Sequence, residues 1–242
     1  MIGANQQWKQ TFQYDRYGNR RFDTANNNTT TLQANCQVAV CNPEINVNNN
    51  RLIGTTFDNA GNMSVDAENR QFMYNAENKQ VEVKDANNVS IGKYFYDGDG
   101  KRVKKIIPAT GETTIFVYDA SGKMVAEYST IVASQQDAKV SYLTNDHLGS
   151  PRITTNANGQ VISRRDFQPF GEEIQRANYG TDSVRQKFTA YERDNETDLD
   201  FAEARYYNPA HGRFTAVDPL MASASTGNPQ TWNSIFTSAT IR

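Results

Sequence analysis

Short blocks that recur along the chain constrain its fold more than any other feature of the sequence. Each block opens with an aromatic or β-branched residue and reaches Gly, or once Asn, four residues later. The six pairs of first and last residues are Tyr14 with Gly18 (YDRYG), Phe57 with Gly61 (FDNAG), Tyr74 with Asn78 (YNAEN), Tyr96 with Gly100 (YDGDG), Tyr118 with Gly122 (YDASG) and Thr155 with Gly159 (TNANG). Such recurrence indicates one supersecondary unit used repeatedly.

The chemistry of the block is that of a tight hairpin turn. The first residue ends a strand, the Asp or Asn that follows bonds the backbone two residues on, and Gly supplies the positive φ that closes the turn. Asn78 suits the last position because Asn tolerates the left-handed conformation. β-prone runs flank the blocks, which predicts strands over residues 71–74, 80–84, 92–96, 102–107, 113–118 and 124–130.

A single hairpin cannot bury its own apolar face, so neighbouring hairpins must stack to make a core. The blocks headed by Tyr74, Tyr96 and Tyr118 follow one another at intervals of 22 residues, as expected of an array. We therefore expect an all-β fold, in which a repeat array of β-hairpins forms a strip and leads into a less regular C-terminal region.

Charge and composition disfavour several classes of function. Hydrophobic residues make up only 37% of the chain, and 25 basic residues are balanced by 27 acidic ones, for a net charge of -2. This balance of charges disfavours both a basic surface that would bind nucleic acid and a polybasic patch that would bind a membrane. No apolar run is long enough to cross a bilayer, and the N-terminus lacks the usual form of a signal peptide. Export would require another route or an upstream part outside this sequence.

The two cysteines, Cys36 and Cys41, lie five residues apart beside Pro43. They could close a small disulfide loop if the protein is exported, but such a bridge is not deducible from the sequence. With two cysteines and two separated histidines, no zinc-binding spacing exists. We expect neither a metal nor a cofactor.

Composition, regularity of the repeats and density of motifs divide the chain into four stretches. Residues 1–55 hold the first block and an Asn-rich insertion loop, and residues 56–140 hold the regular hairpin array. Residues 141–233 carry denser motifs, and residues 234–242 form a divergent tail. The motifs are YLTNDHLGSPR (142–152), RRDFQPFGE (164–172), FTAYERD (188–194), LDFAEARYYNP (199–209) and GRFTAVDP (212–219).

In this order and spacing, these motifs resemble the C-terminal RHS repeat-associated core domain of bacterial RHS/YD-repeat proteins. The resemblance covers roughly residues 56–233. It implies a β-strip that spirals into a hollow shell, with the core domain as a plug near one end. Many family members enclose a C-terminal toxin, whereas the similar shell of teneurins serves cell-surface adhesion.

The resemblance implies a non-enzymatic structural or interaction module, here a truncated remnant, that is secreted or displayed at the cell surface. Its expected partners are the remainder of a longer shell or a cargo toxin. A glycan or another cell-surface ligand is a further possibility, since exposed Tyr rings would suit a sugar. Nucleic acid is not an expected partner.

Several residues of the core motifs allow both a chemical and a structural interpretation. Asp146 and His147 resemble an acid/base pair, but a general base needs a positioned partner and a pocket, so a turn is favoured. In that turn His147 packs or hydrogen-bonds in the wall. Arg-rich and Tyr-rich positions could grip a glycan or a phosphate, but ring packing with stacked Arg is favoured. The core-motif residues are Asp146, His147, Gly149, Arg152, Arg205, Tyr206, Tyr207, Arg213, Asp218 and Pro219.

One family activity is an alternative function. In many toxin-bearing relatives the core is an aspartyl autoprotease that cuts after a D-P-x-G-L string. The resemblance makes Asp218 the candidate catalytic carboxylate, with Asp194, Asp198 or Asp200 as a partner that shares its proton. Here Asp218-Pro219 continues as Leu-Met-Ala without Gly-Leu, so we expect that the chain does not cleave itself.

Overall fold

The structure is a computed structural model, and it describes residues 10–23, 42–131, 140–174 and 176–218. Within these ranges it contains antiparallel β-sheets and a single 3-10 turn, Phe188–Ala190, which confirms the all-β prediction. An N-terminal hairpin pairs β1 (Phe12–Tyr14) with β2 (Arg20–Phe22). Cys36, Cys41 and Pro219 lie outside the described residues.

The regular array forms an eight-stranded antiparallel sheet in which each strand pairs with its neighbours in chain order; we call it the strip. Its strands are β3 (Thr56–Phe57), β4 (Met63–Val65), β5 (Gln71–Tyr74), β6 (Gln80–Lys84), β7 (Ser90–Tyr96), β8 (Arg102–Ile107), β9 (Glu112–Tyr118) and β10 (Met124–Ser129). The predicted bounds of β5, β6 and β8 agree with those observed. The other three predicted strands differ at one end by one or two residues.

Two smaller sheets follow the strip. A three-stranded sheet contains β11 (Ser141–Asn145), β12 (Pro151–Asn156) and β13 (Val161–Arg164). A four-stranded sheet, here called the core sheet, contains β14 (Glu192–Asp194), β15 (Leu199–Ala202), β16 (Arg205–Asn208) and β17 (Arg213–Phe214). Both sheets are antiparallel and follow chain order, so their registers are set by short turns.

The recurring blocks form one type of turn. In the turn between β7 and β8, the Gly100 amide donates to the Asp97 carbonyl at 3.1 Å, and the Asp97 amide donates to the Lys101 carbonyl at 3.0 Å. Asp97 Oδ1 also accepts from the amides of Asp99 and Lys101. Gly100 has φ 77°, so the turn is a type I turn closed by a left-handed residue that forms a β-bulge. The same pattern recurs at Asp15, Asp58, Asn75, Asp119, Asp146 and Asn156.

Two further turns of this type were not predicted from the sequence. Asp66 and Asp85 accept the same amide bonds, and Asn69 and Asn88 take the left-handed position with φ 61° and 63°. These blocks lack the aromatic first residue and end in Asn, so they were not recognised as repeats of the same pattern. They connect β4 to β5 and β6 to β7, so they lie on the opposite rim of the strip from the aromatic-headed turns.

The aromatic first residues link neighbouring hairpins along one rim. The Tyr96 hydroxyl donates to the Gln80 carbonyl at 2.7 Å, and the Tyr118 hydroxyl donates to the Arg102 carbonyl at 2.9 Å. Burial raises the pKa of Tyr96 to about 12. Because each hydroxyl bonds the first strand residue after the preceding turn, Tyr at this position ties one repeat to the one before it.

The main hydrophobic core lies between the strip and the core sheet. Met63, Phe72, Val83 and Tyr94 from the strip, with Leu52, pack with Leu199 and Tyr206 of the core sheet. A backbone bond also joins the two sheets, since the Met63 amide donates to the Thr215 carbonyl at 2.8 Å. The core sheet therefore covers one face of the strip.

The N-terminal hairpin docks on the C-terminal region. Arg20 Nη2 donates to the Ala210 carbonyl at 2.7 Å, and the Arg20 guanidinium lies 4.4 Å from the ring centroid of Phe170. Phe12 meets the same Phe170 ring edge-on at 5.3 Å. The first repeat block is thereby fixed to motifs that come nearly two hundred residues later.

Candidate functional site at the joint between strip and core sheet

A buried cluster of charges joins the strip to the core sheet. We call it the joint and define it by Arg102 and Lys105 of β8, Glu192 and Asp194 of β14, and Glu196 in the turn after β14. Arg102 and Asp194 have no solvent exposure, and Lys105 is 3% exposed. Charges are rarely buried unless they are paired, so the joint fixes how the two sheets meet.

Arg102 is the centre of the joint. Its Nη1 lies 2.6 Å from Asp194 Oδ2 and its Nη2 lies 2.9 Å from Glu192 Oε2. Nη1 also donates to the Tyr206 hydroxyl at 3.0 Å. The guanidinium lies 4.1 Å from the ring centroid of Phe201, so it is both ion-paired and stacked on an aromatic face.

Lys105 makes the second set of contacts. Its Nζ lies 2.7 Å from Asp194 Oδ1 and 3.5 Å from Glu196 Oε2. The other Glu196 oxygen, Oε1, accepts a hydrogen bond from the Tyr94 hydroxyl at 3.0 Å. Gly92 makes room for this contact, because a Cβ there would lie 2.6 Å from the Tyr94 hydroxyl.

The carboxyl groups of the joint have different affinities for protons. Burial acts to raise the pKa of Asp194, but the charges of Arg102 and Lys105 outweigh it and hold this pKa below 3.8. Burial raises the pKa of Glu192 and of Glu196 above 4.5, and the nearby charge of Asp194 adds to both shifts. Asp194 is therefore the ionised partner of the cations, and the two Glu side chains are the more easily protonated groups.

The DHLGS motif forms a hairpin turn. Asp146 Oδ1 accepts from the amides of Leu148 and Ser150, and Gly149 has φ 83°. His147 is exposed, so the expectation that it packs or bonds in the wall is not met in this chain. Arg152 lies 3.8 Å from Asp146 and 2.5 Å from Asp166, outside the joint.

The ARYY and GRF motifs supply packing residues. The Arg205 guanidinium lies 3.6 Å from the Phe214 ring centroid, and Tyr207 packs on the same ring at 5.5 Å. Tyr206 enters the joint through Arg102. Arg213 instead donates from Nη2 to Asn19 Oδ1 at 3.2 Å, and burial lowers its pKa to about 10.

The candidate catalytic carboxylates are each placed beside a cation or at the surface. Asp218 Oδ2 lies 2.9 Å from Arg205 Nη2, and Asp200 Oδ1 lies 2.5 Å from Arg193 Nε. Asp194 belongs to the joint, and Asp198 is exposed with φ 56°. An aspartyl dyad needs two carboxylates that share a proton, whereas Asp218 and Asp200 each pair with an arginine. Burial raises the pKa of Asp200 against the opposing effect of Arg193.

Sequence reasoning missed most of the joint. Arg102, Lys105, Glu192 and Glu196 were not singled out as site residues, because the run KRVKKII (101–107) has the pattern of an ordinary strand. The described ranges contain no group of three or more His, Cys, Asp or Glu side chains that could hold a metal. No helix in the described part of the chain is long and apolar enough to span a membrane.

Comparisons with known proteins agree with this architecture. The family model described as Teneurin YD-shell matches residues 1–239. The tRNA3(Ser)-specific nuclease WapA of Bacillus spizizenii is 24% identical over an alignment 227 residues long, which covers 86% of this chain and 9% of WapA. The double-stranded DNA deaminase toxin A of Burkholderia cenocepacia is 25% identical over an alignment 138 residues long, which covers 50% of this chain and 10% of that protein.

A solved structure shows the same fold. A chain of the Photorhabdus luminescens Tc holotoxin pore superposes with a TM-score of 0.65 at 19% identity. The superposition covers 94% of this chain and 12% of the holotoxin chain. The chain thus spans about a tenth of the length of the proteins that it resembles.

Proposed function

Since this chain belongs to the teneurin YD-shell family, we propose that it is a non-enzymatic structural module that forms part of the wall and the closing core of a larger shell. The observation that carries the proposal is the joint, where the core sheet is locked onto one face of a continuous strip. Such an arrangement covers one face of the strip and leaves its edge strands, β3 and β10, available to pair with further strands. Its role in this proposal is that of a scaffold, with no substrate from outside the chain.

The partners and location follow as part of this proposal. The remainder of a longer shell would continue the strip, and a toxin enclosed by that shell would be the cargo. Two of the similar proteins are a holotoxin and a deaminase toxin, which supports a toxin-related role. Secretion or display at a cell surface, with a glycan or another surface ligand, fits the same role.

A graft tests the wall function. Residues 10–218 would replace the superposing segment of the matched chain in the Photorhabdus Tc holotoxin, and the assembly would be imaged by electron cryomicroscopy. We expect a closed particle whose strip runs through the graft without a break. A broken or open particle would contradict the proposal, provided that the isolated chain still shows the circular dichroism of a folded β protein.

Incubation of the purified chain tests the autoprotease alternative. The structural proposal expects one intact band over days, both in the wild-type chain and in Asp218→Asn. A discrete fragment that appears in the wild type and vanishes in Asp218→Asn would overturn it. Asp198→Asn is the matched control, because Asp198 is an exposed carboxylate of the same chain.

A further inference from the structure

We propose that Lys105 and Glu196 condense within the folded chain to an amide bond that covalently ties the strip to the core sheet. Nothing in the architecture of the sheets requires such a bond. The proposal stands on the arrangement of four side chains in the joint: an amine, a carboxyl group, a second carboxylate beside the amine, and a phenol that bonds the carboxyl oxygen.

The reacting groups are in contact. Lys105 Nζ lies 3.5 Å from Glu196 Oε2, an oxygen bonded to the carbon Cδ that the amine would attack. The Tyr94 hydroxyl donates to Glu196 Oε1 at 3.0 Å, and so marks the oxygen on which negative charge would develop. Asp194 Oδ1 lies 2.7 Å from the amine and is placed to accept its proton.

The surroundings exclude water from these groups. The side chains of Lys105 and Asp194 are 4% and 0% exposed, and that of Glu196 is 9% exposed. Tyr94 and Tyr206 pack beside the joint with ring centroids 5.5 Å apart. A neutral amine is the nucleophilic form, so the transfer of a proton from Lys105 to Asp194 precedes the attack.

The electrostatics assign a different role to each carboxyl group. Burial raises the pKa of Glu196, which makes its neutral acid, the electrophilic form, easier to reach. Although burial opposes it, the neighbouring cations lower the pKa of Asp194 and keep it ionised, so Asp194 is an available but weak proton acceptor beside the amine. As a strong acid once protonated, Asp194 then returns that proton readily.

The step balances in atoms and charge. The Lys105 ammonium gives one proton to Asp194, and the free amine attacks Cδ of neutral Glu196 to form the Nζ–Cδ bond. The amine nitrogen loses a second proton as the Cδ–OH bond breaks, and the departing hydroxyl leaves as water with the proton that Asp194 returns. The excess proton passes to solvent, and the product is a neutral amide with Asp194 again ionised.

Burial supplies the driving force. Holding two reactants in place replaces a bimolecular encounter and favours bond formation strongly. The amide also removes the Lys105 charge from a site where each buried ion carries a large desolvation cost. Arg185 Nε lies 3.3 Å from Glu192 Oε1. After the condensation, two arginines, Arg102 and Arg185, therefore face two carboxyl groups, those of Glu192 and Asp194.

Intact mass spectrometry of the full chain after denaturation tests the proposal. The wild-type chain is expected to be lighter than its sequence by one water molecule, and protease digestion should give a branched peptide that joins the segments around Lys105 and Glu196. A wild-type chain that keeps the unmodified mass after prolonged incubation at neutral pH would overturn the proposal. A mass loss mapped to other residues would overturn it as well.

Variants separate the condensation from other losses of water. Lys105→Arg and Glu196→Ala should both retain the full mass, whereas Lys104→Arg, next to Lys105 in β8 and stacked 4.0 Å over the Phe95 ring, should still lose water. Tyr94→Phe should slow the loss of water while preserving the fold, which we would follow by mass at intervals after refolding. Equal mass loss in Lys105→Arg and in the wild type would contradict the assignment even if Glu196→Ala fails to fold.

Discussion

Single backbone positions decide whether a hairpin of this chain can close. Gly61 and Gly159 both end a repeat block with positive φ, 88° and 75°. They differ in what surrounds them, because a Cβ at Gly61 would lie 2.7 Å from Val217 Cγ2, whereas a Cβ at Gly159 would meet nothing within 4 Å. The same residue type therefore serves conformation alone at one turn, and conformation with close packing at the other.

This difference predicts unequal costs for the same substitution. Gly159→Ala should lower the free energy of unfolding by about 1–2 kcal/mol, the cost of the left-handed conformation. Gly61→Ala should add a packing cost of about 1–3 kcal/mol, because Val217 must move. Urea denaturation of both variants measures the difference. Equal costs would show that Val217 does not contact the turn in solution.

Each Asp-headed or Asn-headed turn described above rests on one side-chain acceptor. Replacing Asp97 by Ala removes the acceptor of the Asp99 and Lys101 amides. We expect a loss of about 1 kcal/mol in the free energy of unfolding, together with faster amide hydrogen exchange at Asp99 and Lys101.

Asp97→Asn is the matched control, because Asn75 and Asn156 make the same bonds in their own turns. It should keep the stability to within about 0.5 kcal/mol, as expected of a surface change that preserves contacts. A large loss in Asp97→Asn would mean that the charge of Asp97, and not its acceptor oxygen, maintains the turn.

The order of strands and turns was predictable because its signals are local. The aromatic residue, the Asp or Asn and the left-handed residue lie within five positions, so Tyr96 to Gly100 can be interpreted without knowledge of the rest of the chain. The turns at Asp66 and Asp85 carry the same signal apart from the aromatic residue, and a search for Asp followed three positions later by Asn would have found them.

The joint was not predictable because its contacts are remote in sequence. Arg102 and Asp194 are 92 residues apart, and neither flanking segment differs in pattern from an ordinary strand. Periodicity shows which face of a strand is apolar, but not which buried arginine meets which carboxylate. The chemistry of Lys105 and Glu196 likewise depends on a meeting of two sheets that no local pattern encodes.

The two sheets should come apart when the joint loses its central cation. Arg102→Met leaves Asp194 without its arginine partner and Glu192 with Arg185 alone, so the free energy of unfolding should fall by about 3–5 kcal/mol. Lys104→Met is the control, since Lys104 lies outside the joint, and it should cost less than about 1 kcal/mol.

Removing both charges of the Arg102–Asp194 pair should restore part of the lost free energy of unfolding. The double variant Arg102→Met with Asp194→Leu removes both halves of the Arg102–Asp194 pair, so it should be more stable than Arg102→Met alone. Denaturant titrations of the four proteins measure these differences. A double variant that is less stable than Arg102→Met would contradict the pairing of Arg102 with Asp194.

Stability should depend on pH through the same carboxyl groups, with opposite signs. The pKa of Asp194 is lowered on folding, so its contribution is present above pH 3.8 and is lost as the pH falls through the lower folded value. The pKa of Glu192 is raised, so its contribution is present below pH 4.5 and is lost as the pH rises through the higher folded value.

The pH dependence that each carboxyl group gives to the free energy of unfolding should disappear when that group is replaced. Denaturation across a pH series is expected to show a flatter acid limb in Asp194→Asn, and a flatter limb above pH 4.5 in Glu192→Gln. Slopes that match the wild type in both variants would place the titrating groups elsewhere in the chain.

The docking of the first hairpin onto the C-terminal motifs has a consequence for synthesis on the ribosome. Arg20 is separated by 190 residues from the Ala210 carbonyl that it bonds, and Arg213 by 194 from Asn19. The hairpin is therefore synthesised well before the residues that it contacts, whereas the strip can fold from contacts between strands that are adjacent in sequence. A nascent chain halted before Ala210 should hold a formed strip and an undocked hairpin, so closure of the chain would be the last event of its folding.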